Sequence, residues 1–229
     1  GVAGLVPILL LVVALQMFGG MSREANASGI YAGGSTGYDI SYPQCGGAYP
    51  SSPYSFGIVG VTRGHAFTQN PCLASEYEWA IEASGRVPSL YVNLNYAVGK
   101  TAYKGMTGPS GDCSRKDKVC QAYNYGWNTA EEAFNYALSQ GASAPMWWLD
   151  IEPANSWSAN TSLNDQVIQA AVDFLGGWGI TVGVYSTKSW WAAIAGSGFA
   201  PDLAGQGVFP NWVPGAADAA AARDYYCTQ

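Results

Sequence analysis

The segments of this chain that read as β-strands are separated by helix-length stretches, and this alternation constrains the fold more than any other feature. Returning to a parallel neighbour requires a crossover of about a dozen residues or more, which is usually a helix. Over the roughly 200 residues concerned, the pattern favours an α/β protein with a TIM-like (β/α) barrel over a small doubly wound sheet. The predicted strands are Gly37–Ser41, Phe56–Thr62, Ser89–Asn95, Pro145–Glu152, Ile180–Ser186 and Val208–Val213.

The helices between these strands are predicted from their end signals. Asn70 is a capping residue followed by a proline, so one helix is expected to start there and to stop near Gly85. A second helix is expected to begin at Asn128 or Thr129 and to end at Gly141. The remaining helices are predicted over Leu163–Leu175 and from Ser189 onward.

Charged residues are scarce, at 11% of the chain against 48% hydrophobic residues, and the net charge is -6. High hydrophobicity with low charge excludes an intrinsically disordered chain. Ten Lys and Arg make no basic field, so we expect no nucleic acid partner. No G-x-G-x-x-G or P-loop follows a predicted strand, which leaves nucleotide binding without support. A surface rich in Ser, Asn, Gly and Tyr indicates an exported protein instead.

The N-terminal segment Val2–Phe18 contains no charged residue. As a helix it would be roughly 25 Å long, at the short end of what crosses a bilayer core. Three interpretations stay open: an uncleaved secretory signal, a membrane anchor, and a pilin-type stem packed among its own copies in a homo-oligomer or filament. Each implies export to the cell surface or the extracellular space. The expected organisation is a hydrophobic helix (1–20), a linker (21–36) and a barrel domain (37–229).

The five cysteines fit an oxidising compartment, and none forms the C-x-x-C pair of a zinc site. Cys113 and Cys120 flank a short polar loop that a disulfide would close. Cys45 and Cys72 follow two neighbouring predicted strands, so a bridge between them at one end of the sheet is expected. Cys227 is left over, either unpaired or paired between chains. We expect no metal and no cofactor.

The strongest chemical signal lies in the fourth predicted strand, where acidic residues follow two tryptophans. Alternate residues of a strand share a face, so Asp150 and Glu152 point the same way with Trp148 below them. Two carboxylates at the end of a buried strand are costly unless they are used. Barrel active sites lie at the C-terminal ends of the strands, and Asp39 closes the first strand at that face. Glu152, Asp150 and Asp39 are therefore the candidate catalytic residues.

Polar and aromatic side chains on other strands are expected to converge on the same pocket. Paired carboxylates flanked by aromatic rings suit glycoside hydrolysis, in which one acid protonates the leaving oxygen. The other stabilises an oxocarbenium-like transition state, or acts as nucleophile or base. A competing interpretation has Asp150 and Glu152 capping the next helix or forming a salt bridge. The candidate substrate-binding residues are Tyr38, Tyr91, Asn93, Asn95, Trp148 and Tyr185.

One set of segments consists of Gly37–Ser41, Phe56–Gly64 with Phe67 and Asn70 after it, Trp148–Glu152 and Val182–Ser186. These segments resemble those of the family 25 glycoside hydrolases, the lysozyme-type muramidases. The chain is still more similar to an actinobacterial branch of exported glycoside hydrolase-like domains (DUF1906-like), which carries four segments: GYD-S-PQCG, AFTxNPC, YDYGWN and WWLD-E-xNSW. The likeness covers about residues 35–215. In this chain the four segments are Gly37–Gly47, Ala66–Cys72, Tyr123–Asn128 and Trp147–Trp157.

The resemblance implies an irregular (β/α) barrel that acts on peptidoglycan or another bacterial polysaccharide. It implies that Glu152 is the acid, with Asp150 and Asp39 stabilising charge or positioning the substrate. Barrels of that family continue with further late strands, one of which carries an aspartate, whereas this sequence ends at Gln229 soon after its sixth predicted strand. We therefore expect a barrel that lacks its last strands and is open-edged, unless another chain or segment completes it.

Two classes of function stay open at this point. In the first, the chain is an exported cell-surface glycoside hydrolase that works through the three acids. In the second, it is a non-catalytic structural subunit of a surface filament, assembled through Val2–Phe18 and decorated by a hydrolase-like domain. A membrane-tethered sugar-binding module differs from the first only in lacking turnover. The fold does not decide among them, because one fold carries many activities.

Overall fold

A six-stranded parallel sheet organises the protein. The computed structural model describes residues 30–221 except 52, 97–98, 203–204, 207–208 and 216–219. Its strands are, in chain order, β1 (Gly37–Ile40), β2 (Phe56–Gly60), β3 (Ser89–Asn93), β4 (Thr107–Gly108), β5 (Gly111–Asp112), β6 (Met146–Asp150), β7 (Thr181–Tyr185) and β8 (Asn211–Trp212). β4 and β5 form a small antiparallel pair, and the others pair in parallel in the order β1-β2-β3-β6-β7-β8. The sheet curls into a half-barrel, which confirms the α/β class and fits a TIM-like fold.

The helices pack against one face of this sheet. They are α1 (Leu73–Ser84), α2 (Lys118–Ser139), α3 (Thr161–Gly177) and α4 (Lys188–Ile194). Because successive strand residues point to opposite faces, Val59, Leu90 and Leu149 join the core under the helices. Ile58 and Trp148 belong to a separate cluster on the concave face. The alternation predicted for the fourth strand is therefore confirmed.

The second helix is longer than its end signals predicted. The start expected at Asn128 or Thr129 was wrong, because α2 begins at Lys118 and is capped by the side chain of Asp117. The glycine at 126 weakens the helix signal of this first part of the segment. In the structure a Cβ at Gly126 would lie 2.1 Å from the carbonyl oxygen of Val167 on α3. The glycine is needed where the two helices approach closely, which local propensity does not show.

Most other predicted boundaries differ by one to a few residues. α1 begins at Leu73 with Cys72 at its cap, whereas Asn70 was expected there. The side-chain oxygen of Asn70 accepts a hydrogen bond from the backbone N–H of Cys72 at 3.0 Å, so it shapes the turn before the helix. Gly85 ends α1 with a φ of 66°, as predicted. The last predicted strand is shorter than expected, since β8 covers Asn211–Trp212.

Both predicted disulfides within the described residues are confirmed. Cys45–Cys72 joins the loop after β1 to the start of α1. Cys113–Cys120 closes the loop that leads into α2. The fifth cysteine, Cys227, lies outside the described residues.

The predicted N-terminal helix, residues 1–20, and the first part of the linker also lie outside the described residues. In the part of the chain that is described, no helix combines the length and apolar character needed to cross a bilayer. The end of the linker packs on the domain. The Tyr31 ring stacks on Phe56 with 3.7 Å between centroids, and its hydroxyl lies 2.6 Å from Oγ of Ser89. Because Phe56 and Ser89 begin β2 and β3, this segment covers the N-terminal end of the half-barrel.

Candidate active site

Two successive rows of side chains cross the concave face of the sheet, because paired residues of parallel strands lie side by side. The lower row consists of Gly60, Tyr91, Trp148 and Gly183, on β2, β3, β6 and β7. The upper row lies nearer the C-terminal ends of the strands and consists of Asn93, Asp150, Tyr185 and Trp212, on β3, β6, β7 and β8.

The lower row forms a floor in which two large rings lie between two glycines. A Cβ at Gly60 would come within 2.5 Å of Cζ of Tyr91. A Cβ at Gly183 would come within 2.6 Å of the Trp148 ring. The glycines at the two ends of the row therefore leave room for the two rings between them, as small residues do in the tapered interiors of small barrels. Trp148 is only 4% exposed, so this predicted substrate contact lies beneath the pocket instead of on its surface.

A pocket of about 300 Å³ lies above this floor, at the C-terminal ends of the strands. It is where barrel enzymes place their active sites. All three predicted acids line it, together with three of the predicted substrate-binding residues. These six are Asp39, Asp150, Glu152, Tyr91, Asn93 and Tyr185. The geometry thus brings together residues that are far apart in the sequence.

Five further lining residues were not predicted. They come from the loops after β1 and β2 and from the last strand, and they are Ser41, Tyr42, Pro43, Gly64 and Trp212. The Trp212 ring meets Tyr185 edge-on with 4.7 Å between centroids. One signal in the sequence indicated that Trp212 could line the pocket, namely its position on a predicted strand. Its height relative to Asp150 depends on the register between β7 and β8, which the sequence does not display.

Tyr38 and Asn95 do not line the pocket. Tyr38 neighbours Asp39 on β1, so its side chain points to the opposite face, where its ring meets Tyr54 edge-on at 4.6 Å. Asn95 is buried and accepts a hydrogen bond from the backbone N–H of Ala66 at 3.2 Å. Its amide nitrogen donates to the hydroxyl of Tyr125 at 3.0 Å. Asn95 therefore holds the loop after β2, which carries Gly64 at the pocket.

Asp150 is the most deeply buried of the three acids, at 6% exposure. Burial, followed by repulsion from Glu152, raises its pKa to about 8, and Asp39 adds to the rise. The amide nitrogen of Asn93 donates a hydrogen bond to Oδ2, which lowers the pKa in part. Oδ1 has no hydrogen-bond partner among the described residues. A carboxyl in this state keeps its proton at neutral pH.

Glu152 and Asp39 are less enclosed than Asp150. Glu152 is half-buried just beyond the end of β6, and partial burial raises the pKa of its carboxyl. Asp39 is exposed when the whole residue is considered. Its carboxyl nevertheless loses hydration in the pocket, and this loss raises its pKa. The turn carrying Glu152 is held by Trp157, whose indole N–H donates to the Glu152 carbonyl at 2.9 Å. This hydrogen bond gives a structural reason for the tryptophan at the end of the Trp147–Trp157 segment.

The competing interpretation of the acids as a helix cap or salt bridge is not what the structure shows. The following helix, α3, is capped by Asn160, whose side chain accepts from the backbone N–H of Ser162. Within the described ranges, the ion pair that is present joins Lys104 and Glu132, away from the pocket. A second cavity, of about 270 Å³, lies beside α4, and the described residues that line it include no carboxylate.

Two of three comparisons with known proteins agree with the resemblance predicted from the motifs. A family model described as Lysozyme-like protein 1 matches residues 118–203, which include Asp150 and Glu152. The probable GH family 25 lysozyme 3 of Dictyostelium discoideum is 38% identical over 66 residues, covering 28% of this chain and 13% of that protein. The catalytic domain of an endolysin from a Listeria monocytogenes bacteriophage has a TM-score of 0.46 at 18% identity, covering 72% of this chain and 69% of that one. The first two matches confirm the predicted resemblance to the family 25 lysozymes over part of the chain.

Proposed function

We propose that this chain, which carries a domain resembling the family 25 lysozymes, is a glycoside hydrolase that cleaves peptidoglycan or a related cell-wall polysaccharide. The observation that carries the proposal is the convergence of Asp39, Asp150 and Glu152 on one aromatic-lined pocket. Two carboxyls flanking a sugar-sized cleft are the usual requirement for glycosidic bond cleavage. Asp39 lies on β1, Asp150 ends β6 and Glu152 follows it, so the acids reach the pocket from the C-terminal ends of two strands.

Asp150 and Glu152 together hold the proton that bond cleavage needs. The pKa of Asp150 is raised to about 8 and that of Glu152 is raised as well, so the pair retains a proton near pH 7. Because the charge of Glu152 raises the pKa of Asp150, the two carboxyls titrate as a coupled pair. Glu152 delivers the proton to the leaving oxygen, because it is the more exposed of the two, while Asp150 is almost fully buried.

Proton delivery leaves the pocket with more negative charge at the moment the sugar becomes positive. The described lining contains no Lys or Arg that would neutralise its acids. Crowded carboxylates are costly in the empty pocket, but they favour an oxocarbenium-like transition state. Asp39 and ionised Asp150 then stabilise that charge or position the substrate. A water molecule bonds to the anomeric carbon, and the proton that it releases restores the Asp150–Glu152 pair. Interactions that strengthen only in the transition state are those that accelerate the reaction.

The aromatic residues around the acids provide surfaces for sugar rings. Tyr42 is 37% exposed at the rim, and Tyr185 and Trp212 form an edge-to-face pair on the other side. Such rings bury large areas with little loss of side-chain freedom. We expect them to bind the glycan on both sides of the bond that is cleaved.

The test is the Glu152→Gln variant, which keeps the size of the side chain and removes its proton. Release of reducing sugars from purified peptidoglycan should fall by about 100-fold or more, the usual contribution of general acid catalysis. The matched control is Glu131→Gln, an exposed position on α2. The control should keep the wild-type rate. Unchanged release by Glu152→Gln would refute the assignment of Glu152 as the acid.

Carbohydrate binding without turnover is the second candidate function. The rings of Tyr42, Tyr185 and Trp212 line the pocket whether or not the acids work. A binding module would sediment together with insoluble peptidoglycan and would release no reducing ends from it. Assembly into a filament or attachment to a membrane through Val2–Phe18 stays a prediction for residues outside the described range.

We also infer that the domain works outside the cytosol, at the cell surface or in the extracellular space. The disulfides Cys45–Cys72 and Cys113–Cys120 support this location. Such bonds persist in oxidising compartments and are rare in the cytosol. A cell-wall polysaccharide is found in the same location.

A further inference from the structure

A chain of hydrogen bonds between buried side chains leads from the end of β2 to Asp150. Oγ1 of Thr62 donates to Oδ1 of Asn93 at 2.6 Å and accepts the backbone N–H of Asn93 at 3.1 Å. The amide nitrogen of Asn93 in turn donates to Oδ2 of Asp150. Thr62, Asn93 and Asp150 are 1%, 4% and 6% exposed, so water does not compete for these contacts.

The orientation of the Asn93 amide determines whether Asp150 faces a hydrogen-bond donor or an acceptor. With its nitrogen toward Asp150, Asn93 can only donate, so Oδ2 of Asp150 must act as an acceptor. With the amide turned over, its oxygen would accept a proton from Asp150 instead. The two orientations occupy nearly the same volume. Packing alone therefore does not choose between them.

Thr62 favours one of these two orientations, the one in which the amide oxygen of Asn93 faces the Thr62 hydroxyl. Its hydroxyl oxygen accepts the backbone N–H of Asn93, and its single hydroxyl hydrogen is directed at Oδ1 of Asn93. Turning the amide over would place NH₂ where this hydrogen needs an acceptor. In a buried site, the loss of such a bond is expensive because no water replaces it.

We propose that Thr62 is a positioning residue that acts through Asn93 to keep Oδ2 of Asp150 an acceptor. The proton of the Asp150–Glu152 pair is then restricted to Oδ1 of Asp150 or to Glu152. Oδ1 has no hydrogen-bond partner among the described residues, so none of these residues holds the proton there. The inference rests on the proposed function, in which Glu152 passes that proton to the substrate.

The surroundings of Asp150 set the expected direction of change. Glu152 and Asp39 raise the pKa of Asp150, whereas the hydrogen bond from Asn93 lowers it. Without the Thr62 hydroxyl, Asn93 is free to turn over and that hydrogen bond is lost. The pKa of Asp150 should then rise. The titratable groups that interact with Asp150 from the neighbouring strands and turns are Asp39, Tyr91, Glu152 and Tyr185.

The test compares Thr62→Val, which lacks the hydroxyl, with Thr62→Ser, which keeps it. The first measurement is the pH dependence of thermal unfolding of the full chain, and the second is kcat and KM on peptidoglycan against pH. The alkaline midpoint is the pH at which stability, or kcat, has fallen halfway on the high-pH side of its profile. In Thr62→Val this midpoint should rise by at least about half a pH unit in both profiles. Its kcat should fall roughly tenfold with KM little changed. Thr62→Ser should keep the wild-type midpoint.

An Asp150→Asn background provides the matched control, because it lacks the carboxyl on which Thr62 acts. There Thr62→Val should not change the pH dependence of unfolding. An unmoved midpoint in Thr62→Val overturns the inference, and so does the same movement in Thr62→Ser. If Thr62→Val does not fold, Asn93→Leu removes the same hydrogen bond and must move the midpoint upward. The unfolding midpoint needs no turnover, so a wild type that releases no sugar contradicts the proposed function alone.

Discussion

Asn93 and Asp150 are register partners on β3 and β6, and the amide of Asn93 donates a hydrogen bond to the Asp150 carboxyl. Despite this contact, burial and the nearby Glu152 raise the pKa of Asp150 to about 8. A carboxyl with a higher pKa in the folded than in the unfolded chain stabilises the fold at low pH. That stabilisation is fully present below about pH 4 and is lost as the pH rises toward about 8.

Asp150→Asn should remove this pH dependence, because a neutral amide of similar shape replaces the buried carboxyl. We expect a variant more stable than wild type by a few kcal/mol above about pH 8, with little difference near pH 4. Urea unfolding over that range measures the change. The exposed control Glu131→Gln should follow the wild-type curve. A loss of stability in Asp150→Asn as steep as in wild type would contradict the assignment.

Trp212 is expected to bind substrate and not to take part in proton transfer. Trp212→Ala should raise KM for peptidoglycan fragments by roughly tenfold, the loss of one stacking surface, with a smaller effect on kcat. Trp178→Ala is the matched control, since Trp178 is 64% exposed but lines a groove outside the pocket. Equal KM changes in the two variants would mean that Trp212 does not contact the glycan.

We expect that the Tyr91 ring keeps its position only with a glycine at residue 60. An added methyl group would lie 2.5 Å from Cζ of Tyr91 and 2.6 Å from Cβ of Ser41, both next to the pocket. Gly60→Ala should therefore destabilise the protein by about 1–3 kcal/mol, as overpacking does, and reduce activity by displacing the ring. Thermal unfolding and reducing-sugar release measure the two effects.

The control for this substitution is Gly176→Ala. Gly176 lies in α3, where nothing would lie within 4 Å of an added Cβ. Alanine favours a helix over glycine by up to about 1 kcal/mol, so this variant should be neutral or more stable. A Gly60→Ala protein as stable as its control would show that Tyr91 can move without cost.

The two disulfides should contribute unequally to stability. Cys45–Cys72 spans 27 residues and Cys113–Cys120 spans 7. Under the loop-entropy model, loss of the longer bridge costs about 3.5 kcal/mol, and loss of the shorter one about 1 kcal/mol less. Paired Cys→Ala variants, unfolded in urea, measure both. The bridge at Cys45 also anchors the loop carrying Tyr42 and Pro43, so its removal alone should raise KM. The reverse order of stabilities would contradict the model.

Local patterns predicted the sheet well, because buried parallel strands are short apolar runs between turn signals. The shared face of Asp150 and Glu152 also followed from the strand repeat, which is a property of the extended backbone. The same repeat places Tyr38 on the face opposite Asp39, so its exclusion from the pocket was visible in the sequence. The start of α2 was not visible, because Gly126 opposes the helix locally and is required by contact with α3.

The sequence by itself determined the α/β class, the partners of four cysteines, and the placement of three scarce acids at the C-terminal ends of strands. Only the tertiary structure decided that Trp212 joins Asp150 in one row, that Asn95 supports a loop, and that Thr62 reaches Asp150 through Asn93. Each of these contacts depends on register between strands distant in the chain. Register is specified by which faces of the paired strands are buried together, and that pairing is not displayed by either strand alone.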